Sequence, residues 1–232
     1  MSPSIHIPFK RACKIVLLVL LIFAASFMAT DYYLRGHLYY AQRAANFIYR
    51  NTWQAVFPPS GPVSLYVRAV ADQDYRQAHS DWKSRITDLL VGADERFADE
   101  FDIHFSLLGV AAWDRPEQLK EYSDILLYAE KKIDRKSTQI LVIMTGKDDA
   151  SRRVDRWVDV GIAHYLGNSI VVGDDFQLLH EMGHLFGTID YPPGDPRFDI
   201  ETIYSYQYAN RTDQIDPANH DRIMKNKYRR LW

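Results

Sequence analysis

The stretch TQILVIMTG, at residues 138–146, is the most continuously apolar of the strands that the sequence predicts. A strand that is apolar at consecutive positions buries both of its faces, as the inner strands of parallel sheets do. We therefore place it at the centre of a sheet. Four further strands are predicted around it, at residues 63–70, 103–113, 161–166 and 169–172.

Helical segments alternate with these strands. Residues 80–101 and 115–133 are predicted to form two long amphipathic helices, the second with Pro116 in its first turn. A third helix is predicted at residues 175–187, and residues 188–232 are predicted to be irregular. Alternating strands and helices indicate an α/β fold with a mostly parallel sheet flanked by helices.

Composition excludes some functions. The chain has 232 residues, which is enough for one domain with a hydrophobic core but short for two. Its formal net charge of −2 argues against electrostatic binding of nucleic acid, so we expect no nucleic-acid partner. The single cysteine, Cys13, makes an intrachain disulfide impossible, so stability comes from packing and from any metal that binds.

The first 30 residues have the pattern of a secretory signal or a membrane anchor. Basic residues in KRACK, at residues 10–14, precede an uncharged apolar run at residues 15–30. We interpret residues 1–30 as an uncleaved signal anchor or transmembrane segment, which places the rest of the protein outside the cytoplasm, in the periplasm or extracellular space. A cleaved signal, which would make the protein secreted, is the alternative. Edman sequencing separates the two, since a start near Phe27 indicates cleavage.

A short connecting region follows. Residues 31–57 are rich in aromatic residues and arginine and have apolar residues at helical spacing. The sequence PPSGP, at residues 58–62, breaks any helix. We therefore assign residues 31–62 to a juxtamembrane helix and a proline-rich linker, and residues 63–232 to the functional domain.

The candidate metal-binding and catalytic residues lie in HEMGHLFGTID, at residues 180–190. His180 and His184 are four residues apart, so a helix places both imidazoles on one face, where they can bind one tetrahedral zinc ion. Glu181 lies beside the first histidine and can reach a water on the metal without being a ligand. A zinc peptidase needs this arrangement, because the metal acidifies the water while the carboxylate accepts its proton and delivers it to the leaving amine.

A catalytic zinc needs a third protein ligand. Gly187 can adopt a positive φ, end the helix and turn the chain back under the metal, so that Asp190 presents an oxygen atom there. His220 and Glu201 are the alternatives for this ligand. The alternative to any metal site is an amphipathic helix whose histidines are simply hydrogen-bonded in the core.

The pattern His-Glu-x-x-His-x-x-Gly-x-x-Asp resembles the extended motif of the metzincin clan of zinc metallopeptidases, whose last ligand is histidine or aspartate. The resemblance covers most of residues 63–232 and includes the order of strands and helices. It implies a zincin-like fold with a twisted, mixed, mostly parallel five-stranded sheet, two long helices, an active-site helix and a short irregular C-terminal subdomain. In that fold GIAHYLG, at residues 161–167, would be an antiparallel edge strand that binds an extended substrate by strand addition.

The same resemblance implies the composition of the site. Zn²⁺ would be the cofactor, His180, His184 and Asp190 would be its ligands, and Glu181 would be the general base. No cysteine-switch propeptide is visible in the sequence.

The clan also has a methionine turn beneath the metal, and the sequence departs from the clan here. Met224 is the only methionine after the predicted active-site helix, so we expect a turn at this residue. A terminal helix capped by Asp216 is the alternative. Asn226 stands where some members have a tyrosine. The remaining candidates to stabilise the oxyanion are Tyr204, Tyr206 and Tyr228.

The sequence therefore predicts a membrane-anchored zinc endopeptidase that hydrolyses peptide bonds in a protein or peptide substrate. One alternative is a catalytically silent peptide-binding or scaffold module with the same fold. Another is a zinc hydrolase that acts on non-peptide amides. The first alternative predicts that the Glu181→Ala variant keeps its biological effect.

Overall fold

The computed structural model describes residues 60–146, 161–209, 211–229 and 231. In chain order, its helices and strands are β1 (Val63–Ala71), α1 (Gln73–Ala78), α2 (Trp82–Phe101), β2 (Ile103–Ala112), α3 (Tyr122–Lys132), β3 (Ile140–Met144), β4 (Gly161–Ala163), β5 (Ser169–Val172), α4 (Leu178–Leu185) and α5 (Pro217–Asn226).

The five strands form one sheet in the order β2-β1-β3-β5-β4. β1 pairs in parallel with β2 and β3, and β3 pairs in parallel with β5. β4 pairs with β5 in the antiparallel direction at one edge of the sheet. The predicted fold class, a mostly parallel five-stranded sheet with an antiparallel edge strand, is therefore confirmed.

Both faces of the sheet are covered, which explains the continuous apolar run in β3. Ile140, Val142 and Met144 point to the side packed by α2, α4 and α5, whereas Leu141 and Ile143 point to the side packed by α3. All five residues of β3 are buried. A strand in this position has no polar face, as the sequence predicted.

The helix predicted at residues 115–133 begins later, at Tyr122. The reason is a long-range contact of Arg115, whose Nε donates to Asp72 Oδ2 at 2.8 Å and whose Nη2 also binds Asp74. The backbone N–H of Arg115 donates to the side chain of Gln73, and its Nη1 donates to the carbonyl of Leu119. Because these bonds hold the segment against α1, Pro116 does not begin a helix.

The short helix α1 was not predicted. Asp72 caps it, accepting a hydrogen bond from Tyr75 N at 2.8 Å. The same carboxylate is fully buried and accepts further bonds from the Thr145 hydroxyl and Gly146 N. Asp72 therefore joins the carboxyl end of β1 to that of β3, where Arg115 compensates its charge.

Residues 188–232 were predicted to be irregular, and the structure agrees for the first part of this segment but has a helix in the second. Residues 188–209 and 211–216 contain no helix or strand apart from an isolated bridge between Tyr191 and Ser205, as predicted. α5 then follows, with Asp216 as its N-cap, accepting from Ala218 N and Asn219 N, and Pro217 in the first turn. The terminal-helix alternative is correct, and the predicted methionine turn at Met224 is wrong.

The predictions for residues 1–30 and 31–59 lie outside the described residues. Among the helices that the structure does describe, none is both long and apolar enough to cross a bilayer. The membrane anchor therefore stays a prediction from the sequence.

Candidate metal centre

α4 brings the two histidines together. A 3₁₀ turn at Asp175–Gln177, capped by Asp174, leads into the helix. His180 and His184 lie one turn apart with ring centroids separated by 4.7 Å, and their Nε2 atoms are 3.0 Å apart. Both side chains are buried, so the pair faces the protein interior at the base of a cleft.

Gly187 turns the chain back towards the histidines, as predicted. It has a φ of +87°, and the helix ends two residues before it. Asn226 Nδ2, from the end of α5, donates to the Phe186 carbonyl at 2.6 Å and so satisfies a carbonyl at the helix terminus. Asp190 Oδ1 then lies 3.2 Å from His180 Nε2 and 3.3 Å from His184 Nε2.

Backbone carbonyls fix the orientation of both imidazoles. His180 Nδ1 lies 2.8 Å from the Ile203 carbonyl, and His184 Nδ1 lies 3.0 Å from the Thr188 carbonyl. A carbonyl only accepts, so each Nδ1 carries the hydrogen, and in the neutral ring the lone pair is on Nε2. In the neutral form of each ring, the Nε2 lone pair would therefore point at the space that Asp190 Oδ1 also faces, which is how metal-binding histidines are held.

The electrostatics of the three groups are coupled. Burial opposes protonation of His180, but the hydrogen bond and charge of Asp190 raise the pKa of His180 to about 9. Burial also opposes protonation of His184, and Asp190 again raises its pKa. Against its own burial, the two imidazoles hold the pKa of Asp190 well below its usual range. Asp190 is therefore an ionised, acceptor-only group at neutral pH.

Glu181 lies against the edge strand. It is buried, and a methyl group at residue 161 would stand only 2.6 Å from Glu181 Oε1. Gly161 is thus the residue of β4 that leaves room for the carboxylate. The cleft between β4 and α4 has a volume of about 300 Å³, and Glu181 lines it together with His180, His184 and Asp190.

The alternative ligands lie elsewhere. His220 packs against the ring of Phe101, with ring centroids 5.0 Å apart, and Glu201 is exposed. Among the described residues, the group of side chains able to surround one ion consists of His180, His184 and Asp190. The geometry favours Asp190 over His220 and Glu201, and its role as a metal ligand stays a prediction.

Tyr204, rather than Met224, lies beneath the two histidines. Its ring centroid is 5.2 Å from that of His180 and 5.8 Å from that of His184, and the residue is fully buried. A fully buried side chain does not reach a substrate, so Tyr204 is a poor candidate to stabilise an oxyanion. Met224, by contrast, is 44% exposed on α5.

A glycine within α4 was the sequence signal for this packing. A Cβ added at Gly183 would stand 1.8 Å from the hydroxyl oxygen of Tyr204. Glycine inside a helix is disfavoured by about 1 kcal/mol relative to alanine, so its presence there indicates a close approach. The tyrosine and the glycine together bring the segment that contains Ile203 up to His180.

The close contact between Gly183 and Tyr204 can be tested by comparing two glycine-to-alanine variants. We expect Gly183→Ala to lower the free energy of unfolding by about 1–3 kcal/mol, because the new methyl group overpacks the site. Gly92→Ala, in α2, has open space around the added methyl group and should instead raise it by about 0.5–1 kcal/mol. Urea unfolding of both variants measures the difference, and equal stabilisation by both would show that Tyr204 does not pack against α4 in this way.

The model of a family described as metallo-peptidase family M12 matches residues 62–230. No curated protein matches the chain. Two similar solved structures are metalloproteinase-II from Bacteroides fragilis, with 15% identity over 72% of this chain and a TM-score of 0.47, and a chaperone-substrate complex, with 10% identity over 59% of this chain and a TM-score of 0.46. The matches cover 55% and 25% of those two chains.

The family match includes the whole sheet, α4 and the turn that brings Asp190 to the histidines. It spans well over half of the chain. The resemblance read from residues 180–190 is thereby confirmed at the level of the family. The chain belongs to metallo-peptidase family M12.

Proposed function

We propose that the chain is a zinc-dependent endopeptidase in which His180, His184 and Asp190 hold the metal and Glu181 is the general base. The observation that carries the proposal is the convergence of two imidazole nitrogens and one carboxylate oxygen at separations of 3.0, 3.2 and 3.3 Å. Family membership supports peptide-bond hydrolysis as the reaction.

The spacing of these atoms fits zinc. Ligands bound at about 2.0–2.1 Å around a tetrahedral zinc stand about 3.3 Å from one another, which is close to the three separations in this site. Two imidazoles with one carboxylate suit zinc better than calcium or magnesium, which prefer oxygen ligands. The hydrogen bonds from Nδ1 to the carbonyls of Ile203 and Thr188 supply the orientation that such ligands need.

Glu181 is in position to move the proton. Zinc, when bound, supplies a Lewis acid that acidifies water and polarises the scissile carbonyl. The Glu181 carboxylate would accept a proton from the attacking water and deliver it to the nitrogen of the leaving amine. Its burial between α4 and the edge strand keeps the carboxylate near the cleft floor, where Gly161 leaves the required space.

The edge strand supports a peptide substrate. β4 is the last strand of the sheet within the described residues, and it borders the cleft that contains Glu181. The outer backbone groups of an edge strand can pair with an extended chain. A peptide laid along β4 would pass over the metal site, which favours cleavage within a chain. The extracytoplasmic location predicted from residues 10–30 belongs to the same proposal.

The test is hydrolysis of an unstructured protein. The purified chain should cleave casein at internal bonds, lose this activity with 1,10-phenanthroline and regain it when Zn²⁺ is added back, because the metal supplies the Lewis acid. Fragment sizes are measured by mass spectrometry. Cleavage that persists at full rate after the metal has been removed would refute the zinc-dependent mechanism, and removal of terminal residues alone would refute the endopeptidase assignment.

A further inference from the structure

We propose that Tyr165 is a specificity-determining residue whose exposed ring receives an apolar, preferably aromatic, side chain of the bound peptide. The inference rests on the proposed function, since it concerns the substrate of the same cleft. Tyr165 comes two residues after β4 and lines the cleft together with the three candidate metal ligands and Glu181.

The ring of Tyr165 is exposed to solvent and lies beside buried side chains of the candidate metal site. Tyr165 is 42% exposed, whereas Glu181 and His180 in the same cleft are buried. Its hydroxyl donates to the Gly187 carbonyl at 3.4 Å, which directs the ring along the end of α4. A large aromatic side chain at the opening of a cleft offers a flat apolar surface to whatever enters the cleft.

The backbone that carries Tyr165 is held from α4 and β5. Leu166 N donates to the His184 carbonyl at 3.2 Å, and His164 N donates to the Ser169 carbonyl at 3.0 Å. The turn therefore shares a hydrogen bond with the helix that carries the site.

Two side chains hold the same turn from outside the sheet. Arg229, buried near the C-terminus, donates to the carbonyls of Leu166 and Gly167. His164 Nδ1 lies 3.0 Å from Glu130 Oε1, at the end of α3. A turn held by these five hydrogen bonds presents its exposed ring in one place, so substrate binding has little ordering entropy to overcome there.

The other residues that line the cleft indicate which kind of substrate side chain it can bind. Apart from the metal site and Glu181, the cleft is lined by uncharged residues, namely Gly161, Ile162, Ala163, Tyr165, Thr188 and Ile189. These residues offer no charge that could pair with a charged side chain of the substrate. An apolar side chain would bury its surface against the Tyr165 ring, and an aromatic one would add a ring-ring contact.

The experiment compares matched peptides. Four quenched fluorescent peptides of one sequence carry Phe, Leu, Asp or Lys at a single position, and the series is repeated at each position flanking the scissile bond. Aromatic pairing corresponds to about 2- to 12-fold in affinity, so Tyr165→Ala should lower kcat/KM for the Phe peptide by about that factor at one position and leave the Asp and Lys peptides unchanged. Tyr165→Phe should keep the preference.

Tyr66→Ala is the matched control. Tyr66 is 45% exposed on β1 and does not line the cleft, so its loss should leave the preference unchanged. An unchanged preference in Tyr165→Ala, or an equal loss for all four peptides, would overturn the assignment of Tyr165.

Peptide binding separates this inference from the proposed function. The same peptides are titrated into the Glu181→Ala protein, with and without Tyr165→Ala, and followed by fluorescence anisotropy. Weaker binding of the Phe peptide, and to a smaller extent of the Leu peptide, with unchanged binding of the Asp and Lys peptides, supports the role of Tyr165 even if the wild type cleaves nothing, which would refute only the peptidase proposal. Equal binding by the two proteins would refute the role of Tyr165 even in an active peptidase.

Discussion

The Glu181→Ala variant is expected to lose about 10²- to 10⁴-fold in kcat/KM for peptide hydrolysis while still binding one zinc ion per chain. The loss follows from the position of the carboxylate, which is buried at the floor of the cleft beside the candidate ligands but is not one of them. Metal binding should persist because His180, His184 and Asp190 are unchanged. Rates on a quenched fluorescent peptide and zinc content by mass spectrometry measure the two quantities on one sample.

The matched control for this variant is Glu201→Ala. Glu201 is exposed and lies outside the group able to surround an ion, so its removal should change neither the rate nor the zinc content. Full activity in Glu181→Ala would refute a general-base role. An unchanged biological effect of that variant would instead favour the peptide-binding or scaffold module.

The Asp190→Ala variant is expected to bind zinc more than about 100-fold more weakly than the wild type. Loss of a group that only orients a ligand costs about 10- to 100-fold in metal affinity, so loss of a ligand should cost more. Asp190 Oδ1 stands within 3.3 Å of both Nε2 atoms, and its removal would leave two imidazoles to hold the ion. Competition with a chromophoric chelator gives the affinity.

His220→Ala is the control for the third ligand. His220 packs on Phe101 and should contribute nothing to zinc affinity. If His220→Ala weakens zinc binding and Asp190→Ala does not, the assignment of the third ligand is wrong.

The sheet was predictable because its signals are local. β3 is apolar at every position, since helices cover both of its faces, and this pattern is visible without knowledge of the fold. The candidate ligands were predictable for a similar reason. His180 and His184 are related by helix geometry, and Gly187 marks the place where the chain turns, so residues 180–190 contain the whole constellation.

The later start of α3 results from contacts between residues distant in sequence. α3 begins at Tyr122 because Arg115 binds Asp72 and Asp74, which lie about 40 positions earlier in the chain. A local pattern does not contain such partners. The short helix α1 is different, because its cap is local: Asp72 Oδ1 accepts a hydrogen bond from Tyr75 N, three residues later, so the sequence does contain this start signal.

Residue type does not identify the residue beneath the histidines. The resemblance implies a methionine there, and Met224 is the only one after the predicted active-site helix. Met224 instead lies on a helix that Asp216 caps, while Tyr204 packs against both imidazoles. Gly183 was the usable signal, because a glycine within a helix indicates that another group comes close.

The most direct test of the metal centre is an anomalous difference map at the zinc edge from crystals of the zinc-loaded protein. We expect one peak, about 2.0–2.2 Å from His180 Nε2, from His184 Nε2 and from an Asp190 carboxylate oxygen. A peak bound by His220 or Glu201 in place of Asp190, or no peak between the two histidines, would contradict the account.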